Sequence, residues 1–413
     1  MRKMKKILVS AYGCEYGKGS ESGVGWNWIL ILAKRYELWV ITRSNNKENI
    51  EQYVPEDIKD RLHFIYYDLP ERIRKLKKRE KGLYWYYSLW QRGILGVIKK
   101  DLKDVQFDYV MHLTFGSLWM PTYLHKLNIP FIWGPIGGGE AVPTQYMSEF
   151  GWKERLVQMS RKIMMATKWL NIPMVMRCKK ATLIIARTSD TIKALPVKDM
   201  SKVVVILETA VETETLQLMK RKDPPMQNEK VNLIYAGRLI PLKGVRFLIE
   251  AMSMCRNRDK ITFTIIGKGY KQAELKKLAE ACGVDKQVKF LGHVDRLEVL
   301  EMLKQADIFG FPSLKEGGTW SLMEAMAAEL PCICLNTSGM KTITDEESAI
   351  RIEPQKPADT IVEFSKALDK LIDDRDFAVK MGKNARSRIE NIFTWKAKSD
   401  TIFDVMDEVE KRG

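Results

Sequence analysis

Short apolar runs alternate with longer amphipathic stretches through the first half of the chain. Runs such as Ile7–Val9 and Leu38–Ile41 are typical of buried strands, and the stretches between them repeat apolar residues at helical spacing. Strands that alternate with helices form a parallel sheet with right-handed crossovers. We therefore expect a doubly wound α/β domain with strands at 7–11, 37–42, 62–67, 108–112, 130–133, 182–186 and 203–207, and helices near 22–35, 71–104, 117–127, 152–177 and 189–195.

The same alternation returns after a polar stretch that contains Pro224 and Pro225. A chain of 413 residues is too long for one ordinary core, so this stretch is the predicted linker between two domains. In the second domain we expect strands at 231–236, 261–266, 288–291, 306–311, 331–335 and 349–352, and helices near 243–257, 270–282, 295–305, 320–329, 357–373 and 376–391. The predicted organisation is a first domain at 1–212, a linker at 213–230, a second domain at 231–392, and a C-terminal segment at 393–413 with a helix near 394–411.

The most informative loop follows the predicted strand 306–311 and precedes the helix near 320–329. Gly317 and Gly318 allow a ligand to approach the main chain, and the N–H groups of the loop and of the helix N-terminus present positive charge. Glu316 and Glu324 are acceptor-only groups that suit pairs of hydroxyls. An anion seat between hydroxyl-binding carboxylates is the pattern of a sugar-nucleotide site.

A second candidate loop, 237–244, follows the predicted strand 231–236. Arg238 offers a planar fork for phosphate oxygens, and Lys243 offers a point charge. Both would oppose the negative charge that grows on a departing phosphate. Taken alone, two bases at a strand end are more often ordinary surface charges.

These two loops carry a resemblance to the retaining glycosyltransferase family 4. The resemblance depends on two motifs. The first is Glu-x7-Glu at 316–324, followed by Glu-Ala-Met-Ala at 324–327, and the second is Gly-Arg-Leu-x-Pro-x-Lys-Gly at 237–244. The resemblance covers nearly the whole chain and implies a GT-B fold, with two Rossmann-like domains facing a cleft and the C-terminal helix crossing back to the first domain. The first domain would then lie on the acceptor side, and the second would bind the nucleotide-sugar donor.

The resemblance also implies roles for individual residues. Glu316 would bind hydroxyls of the donor sugar and Glu324 those of the ribose, while Arg238 and Lys243 would bind the diphosphate. Here Thr319 and Trp320 replace the usual Gly and Leu of the family's loop. The further donor-side candidates are Gly19, Gly237, Gly267, Val294, Gly317, Gly318, Thr319, Trp320 and Ser321.

His112 and a glycine run complete the candidate set in the first half. His112 ends a predicted strand and would donate to a sugar hydroxyl if it faced the cleft; the alternative is a satisfied core histidine. Gly137, Gly138 and Glu140 follow the next strand and are acceptor-side candidates. For Gly267 and the glycine before Val294, simple turn glycines remain the alternative.

Positive charge is concentrated in two stretches. The formal net charge is +16, of which 71–81 contributes +5 and 152–180 contributes +7. Basic stretches beside aromatic residues suit an anionic membrane surface, and also nucleic acid or a solvated helix face. Since no nucleic-acid-binding motif is recognisable, we expect a peripheral protein on the inner face of the cell membrane, acting on a saccharide or lipid-linked saccharide acceptor in polysaccharide assembly. The aromatic residues expected at the headgroup level are Tyr84, Trp85, Tyr87, Trp90 and Trp169.

Several further features are not indicated by the sequence. No apolar run is long enough to span a membrane, the N-terminal run is too short for a signal peptide, and no residue pattern indicates a metal site. We expect a cytoplasmic, metal-independent transferase with a UDP- or GDP-linked donor. The runner-up is a glycoside hydrolase in which Glu316 and Glu324 act as acid and base.

Overall fold

The computed structural model describes residues 4–76 and 82–412. They form two compact units, each with its own sheet. The first unit comprises Met1–Gly139, Met164–Glu208 and Phe403–Gly413, and the second comprises Glu140–Ile163 and Thr209–Ile402. The chain therefore enters the second unit twice and returns to the first after each passage.

The sheet of the first unit is parallel. Its strands are β1 (Lys6–Ser10), β2 (Glu37–Thr42), β3 (Leu62–Tyr66), β4 (Tyr109–His112), β5 (Phe131–Ile136), β6 (Ala181–Ala186) and β7 (Val203–Val205), in the order β3-β2-β1-β4-β5-β6-β7. The chain reverses its direction across the sheet between β1 and β4, so the loops after these two strands meet at the carboxyl edge. There Gly13 N–H donates to Thr114 Oγ1 at 3.0 Å.

The sheet of the second unit is also parallel. Its strands are β8 (Val231–Ala236), β9 (Ile261–Ile266), β10 (Val288–Gly292), β11 (Ile308–Phe311), β12 (Cys332–Leu335) and β13 (Ala349–Ile352), in the order β10-β9-β8-β11-β12-β13. Strands β11 and β12 are buried along their whole length, as expected for a parallel sheet covered on both faces. The switch point falls between β8 and β11, and these are the two strands that precede the candidate loops.

Helices connect the strands in both units. Within the described residues they are α1 (Ser20–Ala33), α2 (Lys47–Tyr53), α3 (Glu71–Leu76), α4 (Leu83–Asp101), α5 (Trp152–Ala166), α6 (Ile172–Lys180), α7 (Ser189–Ala194), α8 (Thr213–Leu218), α9 (Val245–Met254), α10 (Gln272–Ala281), α11 (Arg296–Gln305), α12 (Trp320–Ala327), α13 (Ser338–Ile343), α14 (Pro357–Asp373), α15 (Arg375–Ile392) and α16 (Trp395–Arg412).

The predicted fold class is confirmed, and each predicted strand is present near its expected bounds. The helix expected at 117–127 is wrong. Only a short 3-10 turn forms there, at Leu124–Lys126, and Ser117 makes a bridge to Gly137. Pro121 explains the failure, because proline lacks the N–H that a helix needs and disfavours the helical conformation in the residue before it.

Other helices differ from the prediction in extent. The helix expected at 152–177 is interrupted before α6, where the Asn171 side chain caps the new helix by accepting from Met174 N–H at 3.1 Å. The helix expected at 71–104 is present as α3 and α4, while 77–81, with part of the first basic stretch, lie outside the described residues. The pattern missed α2, α8 and α13.

The predicted linker 213–230 begins with α8 and contacts the second sheet, since Met226 N–H donates to Asp307 Oδ1 at 2.6 Å. At the other end of the chain, the last turns of α16 contact the first unit. Lys5 Nζ lies 2.9 Å from Glu410 Oε2, and the Tyr36 hydroxyl donates to Glu410 Oε1 at 3.2 Å.

The expectation that Tyr87 and Trp90 are exposed is wrong. Both belong to the core of the first unit and are 0% exposed, because α4 turns them toward the sheet. Tyr84, Trp85 and Trp169 are exposed as expected. Among residues 4–76 and 82–412, no helix combines the length and the apolar character needed to cross a membrane.

Candidate active site

The loop between β11 and α12 holds Glu316 in a partly buried position. Lys243 Nζ contacts Glu316 Oε1, and the Ser313 hydroxyl donates to the same oxygen at 2.6 Å. The Lys243 and Glu316 side chains are only 12% and 15% exposed. Two residues from the separate candidate motifs, 73 positions apart in sequence, therefore form an ion pair at the switch point of the second sheet.

Tight backbone packing positions this pair. Gly244 has φ +61°, and a methyl group on it would overlap the Pro312 carbonyl oxygen, so the segment that carries Lys243 lies directly against the loop that carries Glu316. On the other side, Gly339 N–H donates to the Glu316 carbonyl at 3.0 Å, and a side chain on Gly339 would overlap the Gly317 carbonyl. Sequence reasoning missed Gly339 because it did not predict α13.

Arg238 follows β8 in a loop whose main chain is held by the neighbouring strand ends. Gly237 N–H donates to Ile266 O at 2.9 Å, and the hydroxyl of buried Tyr235 donates to Arg238 O at 3.1 Å. Burial raises the pKa of Tyr235 well above its usual value, so this phenol keeps its proton. The Arg238 side chain itself is exposed and thus accessible to a ligand.

Gly267 and Val294 lie at the two adjacent strand ends. Gly267 follows β9 and donates its N–H to Gly292 O at 2.7 Å, while Val294 follows β10 and is half-buried. The ends of β8, β9 and β10 are therefore joined by main-chain hydrogen bonds along one edge.

Glu324 lies on α12 and is almost fully buried. Its side chain is 8% exposed, and Oε1 accepts from Arg296 Nη2 at 3.0 Å and from Arg296 Nε at 3.1 Å. Burial raises the pKa of Glu324, and the Arg296 guanidinium opposes that shift. Sequence reasoning missed Arg296, which begins α11 directly after the His293-Val294-Asp295 loop.

The first turn of α12 offers polar groups beside this ion pair. The N–H groups of Trp320, Ser321 and the next residue have no intrahelical acceptor, as in any first turn. Thr319 Oγ1 and Ser321 Oγ lie 3.4 Å apart. The Arg296 guanidinium carbon lies 5.6 Å from the centre of the Trp320 ring, and Trp320 Nε1 is buried with no hydrogen-bond partner in the described part of the chain.

His112 does not have the exposure expected from its strand-end position. It is 1% exposed, and its Nε2 lies 3.3 Å from the Tyr87 hydroxyl. Burial, with a smaller contribution from Arg177, lowers the pKa of His112 to about 3, so the ring is neutral. The ring is covered by Tyr87 of α4, whose ring centre lies 6.5 Å from that of His112.

The glycine candidates of the first unit lie in loops, either just before α1 or just after β5. Gly19 precedes α1, with open space where a side chain would extend. Gly137 N–H donates to Gly116 O at 2.7 Å, and a side chain on Gly137 would overlap the Arg187 guanidinium.

Gly138 and Glu140 follow in the chain. Gly138 accepts from Trp119 Nε1 at 2.8 Å, whereas Glu140 is 2% exposed and groups with the second unit. Sequence reasoning missed Glu21, which lies two residues after the candidate Gly19. Its Oε1 accepts from Gly116 N–H at 3.1 Å, and burial raises the pKa of Glu21.

Two parallel doubly wound units, with the candidate loops at the switch point of the second, define the GT-B class of fold. The structure of Alr3699/HepE from Anabaena in complex with UDP and glucose is similar to that of this chain. The TM-score is 0.58 and the sequence identity 16%, over 98% of this chain and 100% of that one. The identity is low, so this likeness establishes the fold alone.

Sequence comparison finds similarity within the second half of the chain. Residues 218–388 match the family described as "Glycosyl transferases group 1". The glycosyltransferase MJ1607 of Methanocaldococcus jannaschii is 29% identical over 176 residues, or 42% of this chain and 44% of that protein. The GDP-mannose-dependent alpha-(1-6)-phosphatidylinositol monomannoside mannosyltransferase of Mycobacterium tuberculosis is 28% identical over 186 residues, or 43% and 48%. The matched segment thus spans less than half of these curated relatives.

Proposed function

We propose that this protein is a retaining glycosyltransferase that moves a sugar from a nucleotide-sugar donor to a saccharide acceptor. The observation that carries the proposal is the Lys243–Glu316 ion pair at the switch point of the second sheet, inside the segment that matches the group 1 family. A donor bound there would have its diphosphate beside Arg238, Lys243 and the amides of 317–321. These groups would stabilise the charge that develops when the bond from the anomeric carbon to the diphosphate breaks.

The other donor contacts follow the family resemblance. Glu316 would accept hydrogen bonds from the donor sugar and Glu324 from the ribose, with Gly237, Gly267 and Val294 near the nucleoside. Gly19 stays a candidate near the donor phosphate, and Gly137, Gly138 and Glu140 stay acceptor-side candidates. His112 would reach a sugar only if its neighbours moved. Retention of anomeric configuration rests on the resemblance.

We expect transfer without a metal ion, because Arg238, Lys243 and the loop amides would supply the positive charge that a divalent cation supplies elsewhere. Either nucleotide base remains compatible with the proposal. The Anabaena protein was crystallised with UDP, whereas the mycobacterial relative is named as GDP-mannose-dependent.

The proposed acceptor is lipid-linked, in polysaccharide or glycolipid assembly at the inner face of the cell membrane. Support comes from the basic stretch at 152–180 and from the mycobacterial relative, whose name specifies a phosphatidylinositol mannoside. A surface-bound enzyme would meet such an acceptor more often than a soluble one.

The first test screens UDP- and GDP-sugars by thermal shift. A cognate donor at about 100 times its Kd should raise the free energy of unfolding by about 2.7 kcal/mol. In a transfer assay with that donor, Arg238→Met and Lys243→Met should each lower kcat/KM, because each removes a charge-assisted contact. The expected decrease corresponds to about 1.5–3 kcal/mol of lost transition-state stabilisation. Lys286→Met, at an exposed base of the same unit, is the control. Unchanged turnover in both site variants would refute the assignment.

The hydrolase alternative has a separate test. Each candidate carboxylate has one oxygen engaged by a base, Lys243 for Glu316 and Arg296 for Glu324, which suits hydroxyl binding better than proton donation. Release of free sugar from an oligosaccharide without nucleotide would favour hydrolysis over transfer.

A further inference from the structure

Helix α5 presents most of its apolar side chains to solvent, and the exception, Met165, is half-buried. No residue of this fully described helix is buried, and Trp152, Leu156 and Ile163 are 68%, 61% and 60% exposed. These positions share one face at helical spacing. Met159 belongs to the same face and is 46% exposed. The result is a continuous apolar stripe, unlike the scattered single residues that any surface carries.

The opposite, polar face of α5 contacts the protein. Glu154, Gln158 and Lys162 repeat every four residues and are less exposed than the apolar stripe. Glu154 accepts a hydrogen bond from the Tyr270 hydroxyl, and Lys162 Nζ donates to Thr144 Oγ1 at 2.7 Å. An ordinary surface helix turns its apolar face inward. Helix α5 is therefore inverted, and hydrogen bonds of the second unit hold it in that orientation.

The charge of α5 complements an anionic surface. The helix has four bases and one acid, and the acid is Glu154, on the inward face. Lys153 and Arg155 are exposed on either side of the apolar stripe, and Arg155 Nε also donates to Met147 O at 3.1 Å, whereas Arg161 is exposed farther round the helix. An apolar stripe with basic borders is the pattern of a helix that lies in the plane of an anionic bilayer interface. The chain beyond α5 continues with exposed Trp169 and Leu170.

We propose that α5 is an interfacial helix that inserts its apolar stripe into the headgroup region of an anionic phospholipid leaflet. The stripe is then covered by acyl chains, and its basic borders lie at the level of the phosphates. The inference rests on the proposed function in one respect: the membrane contact would bring the enzyme to a lipid-linked acceptor. A second copy of the chain is a poorer occupant, because pairing two such stripes would juxtapose like charges.

The test is flotation of the full-length protein with phosphatidylcholine vesicles, with and without phosphatidylglycerol. The variant combines Leu156→Ser and Ile163→Ser, which remove exposed methyl groups and leave the polar face intact. The control is Leu297→Ser, at a leucine of α11 that is 70% exposed. We expect the wild type and the control to float with the anionic vesicles, and the bound-to-free ratio of the double variant to be lower by about tenfold or more.

Three results would overturn the proposal: equal flotation of the double variant, equal binding to neutral vesicles, or no flotation of the wild type. If light scattering instead showed a dimer that the double variant lacks, without flotation, the occupant would be a second copy and the proposal would also fall.

Circular dichroism and the nucleotide thermal shift, both without vesicles, should be unchanged in the double variant. The membrane contact of α5 and the donor function can therefore be tested separately. A wild type that floats but shows no nucleotide shift would contradict the donor function and leave the membrane contact standing.

Discussion

At the scale of single residues, the candidate site depends on how burial and counter-charge balance. Glu324 is taken out of water by α12, which raises its carboxyl pKa, and Arg296 offsets that effect through two hydrogen bonds to one oxygen. Removing one partner of a buried charge pair leaves the other uncompensated, and such losses are larger than the net value of the pair. The arginine is therefore the residue on which an ionised Glu324 depends.

Arg296→Met should make nucleotide binding more sensitive to acid. A carboxyl whose pKa is raised takes up its proton as the pH falls through that higher value, so Glu324 would be neutralised nearer to neutral pH and bind ribose hydroxyls less well. Each further unit of pKa shift corresponds to about a tenfold change at low pH. Calorimetric titration with the cognate nucleotide at pH 6, 7 and 8 checks this, with Lys304→Met on the same helix as control. Parallel pH profiles for the two variants would contradict it.

His112 leads to a prediction about stability. Its pKa is about 3 in the folded protein and about 6.5 when unfolded, so the unfolded chain binds the extra proton between these values. The stability contribution is complete above pH 6.5 and is lost as the pH falls. Between pH 7.5 and 5.5 this single group should cost about 1.4 kcal/mol.

Urea unfolding of the wild type and of His112→Gln at the two pH values measures this contribution. The variant should lose less stability between them, whereas His293→Gln, at an exposed histidine, should behave as the wild type. Equal losses in His112→Gln and the wild type would mean that the ring is not buried as described.

At the scale of elements, the site is a set of loops held at one sheet edge. Strands β8 and β11 are neighbours in the sheet but are separated by 71 residues of chain between Ala236 and Ile308. The loops that follow them meet because the switch point lies between these strands. Direct packing of main chain on main chain, at Gly244 and Gly339, then sets the distance between the loops.

Gly339→Ala should displace the 316–317 segment, because the added methyl group overlaps a carbonyl oxygen. Overpacking of this kind costs about 1–3 kcal/mol of unfolding free energy, and nucleotide affinity should fall with it. Gly96→Ala, in α4 with no atom within 4 Å of the new methyl group, should instead stabilise the protein by about 0.5–1 kcal/mol. Urea unfolding and nucleotide titration report both effects, and wild-type values for Gly339→Ala would contradict the proposed packing.

At the scale of the whole molecule, the two compact units are discontinuous in sequence. The second unit takes 140–163 from the first half of the chain, and the first unit takes the last turns of α16. Near that end, Met406 and Val409 are 3% and 4% exposed, and Glu410 contacts Lys5 and Tyr36.

A chain that ends at Ile402 should therefore have a weakened first unit. Loss of two buried apolar side chains corresponds to about 3–6 kcal/mol, so the amides of β1 and β2 should exchange faster with deuterium. Those of β11 and β12 should change little. A chain that ends at Glu410 keeps these contacts and is the control. Uniform acceleration in both sheets, or none, would be inconsistent with the separate role of the C-terminal turns.

Local patterns in the sequence determined the strands, most helices and the two candidate loops, because apolar periodicity and glycine placement are properties of neighbouring residues. The sequence placed Lys243 and Glu316 in two candidate loops but did not determine that they pair, since their contact depends on strand order in the sheet. Arg296 as the partner of Glu324, the burial of His112 and the inverted face of α5 were decided by tertiary structure. Each of these depends on which residues pack around a side chain, and residues distant in sequence supply that packing.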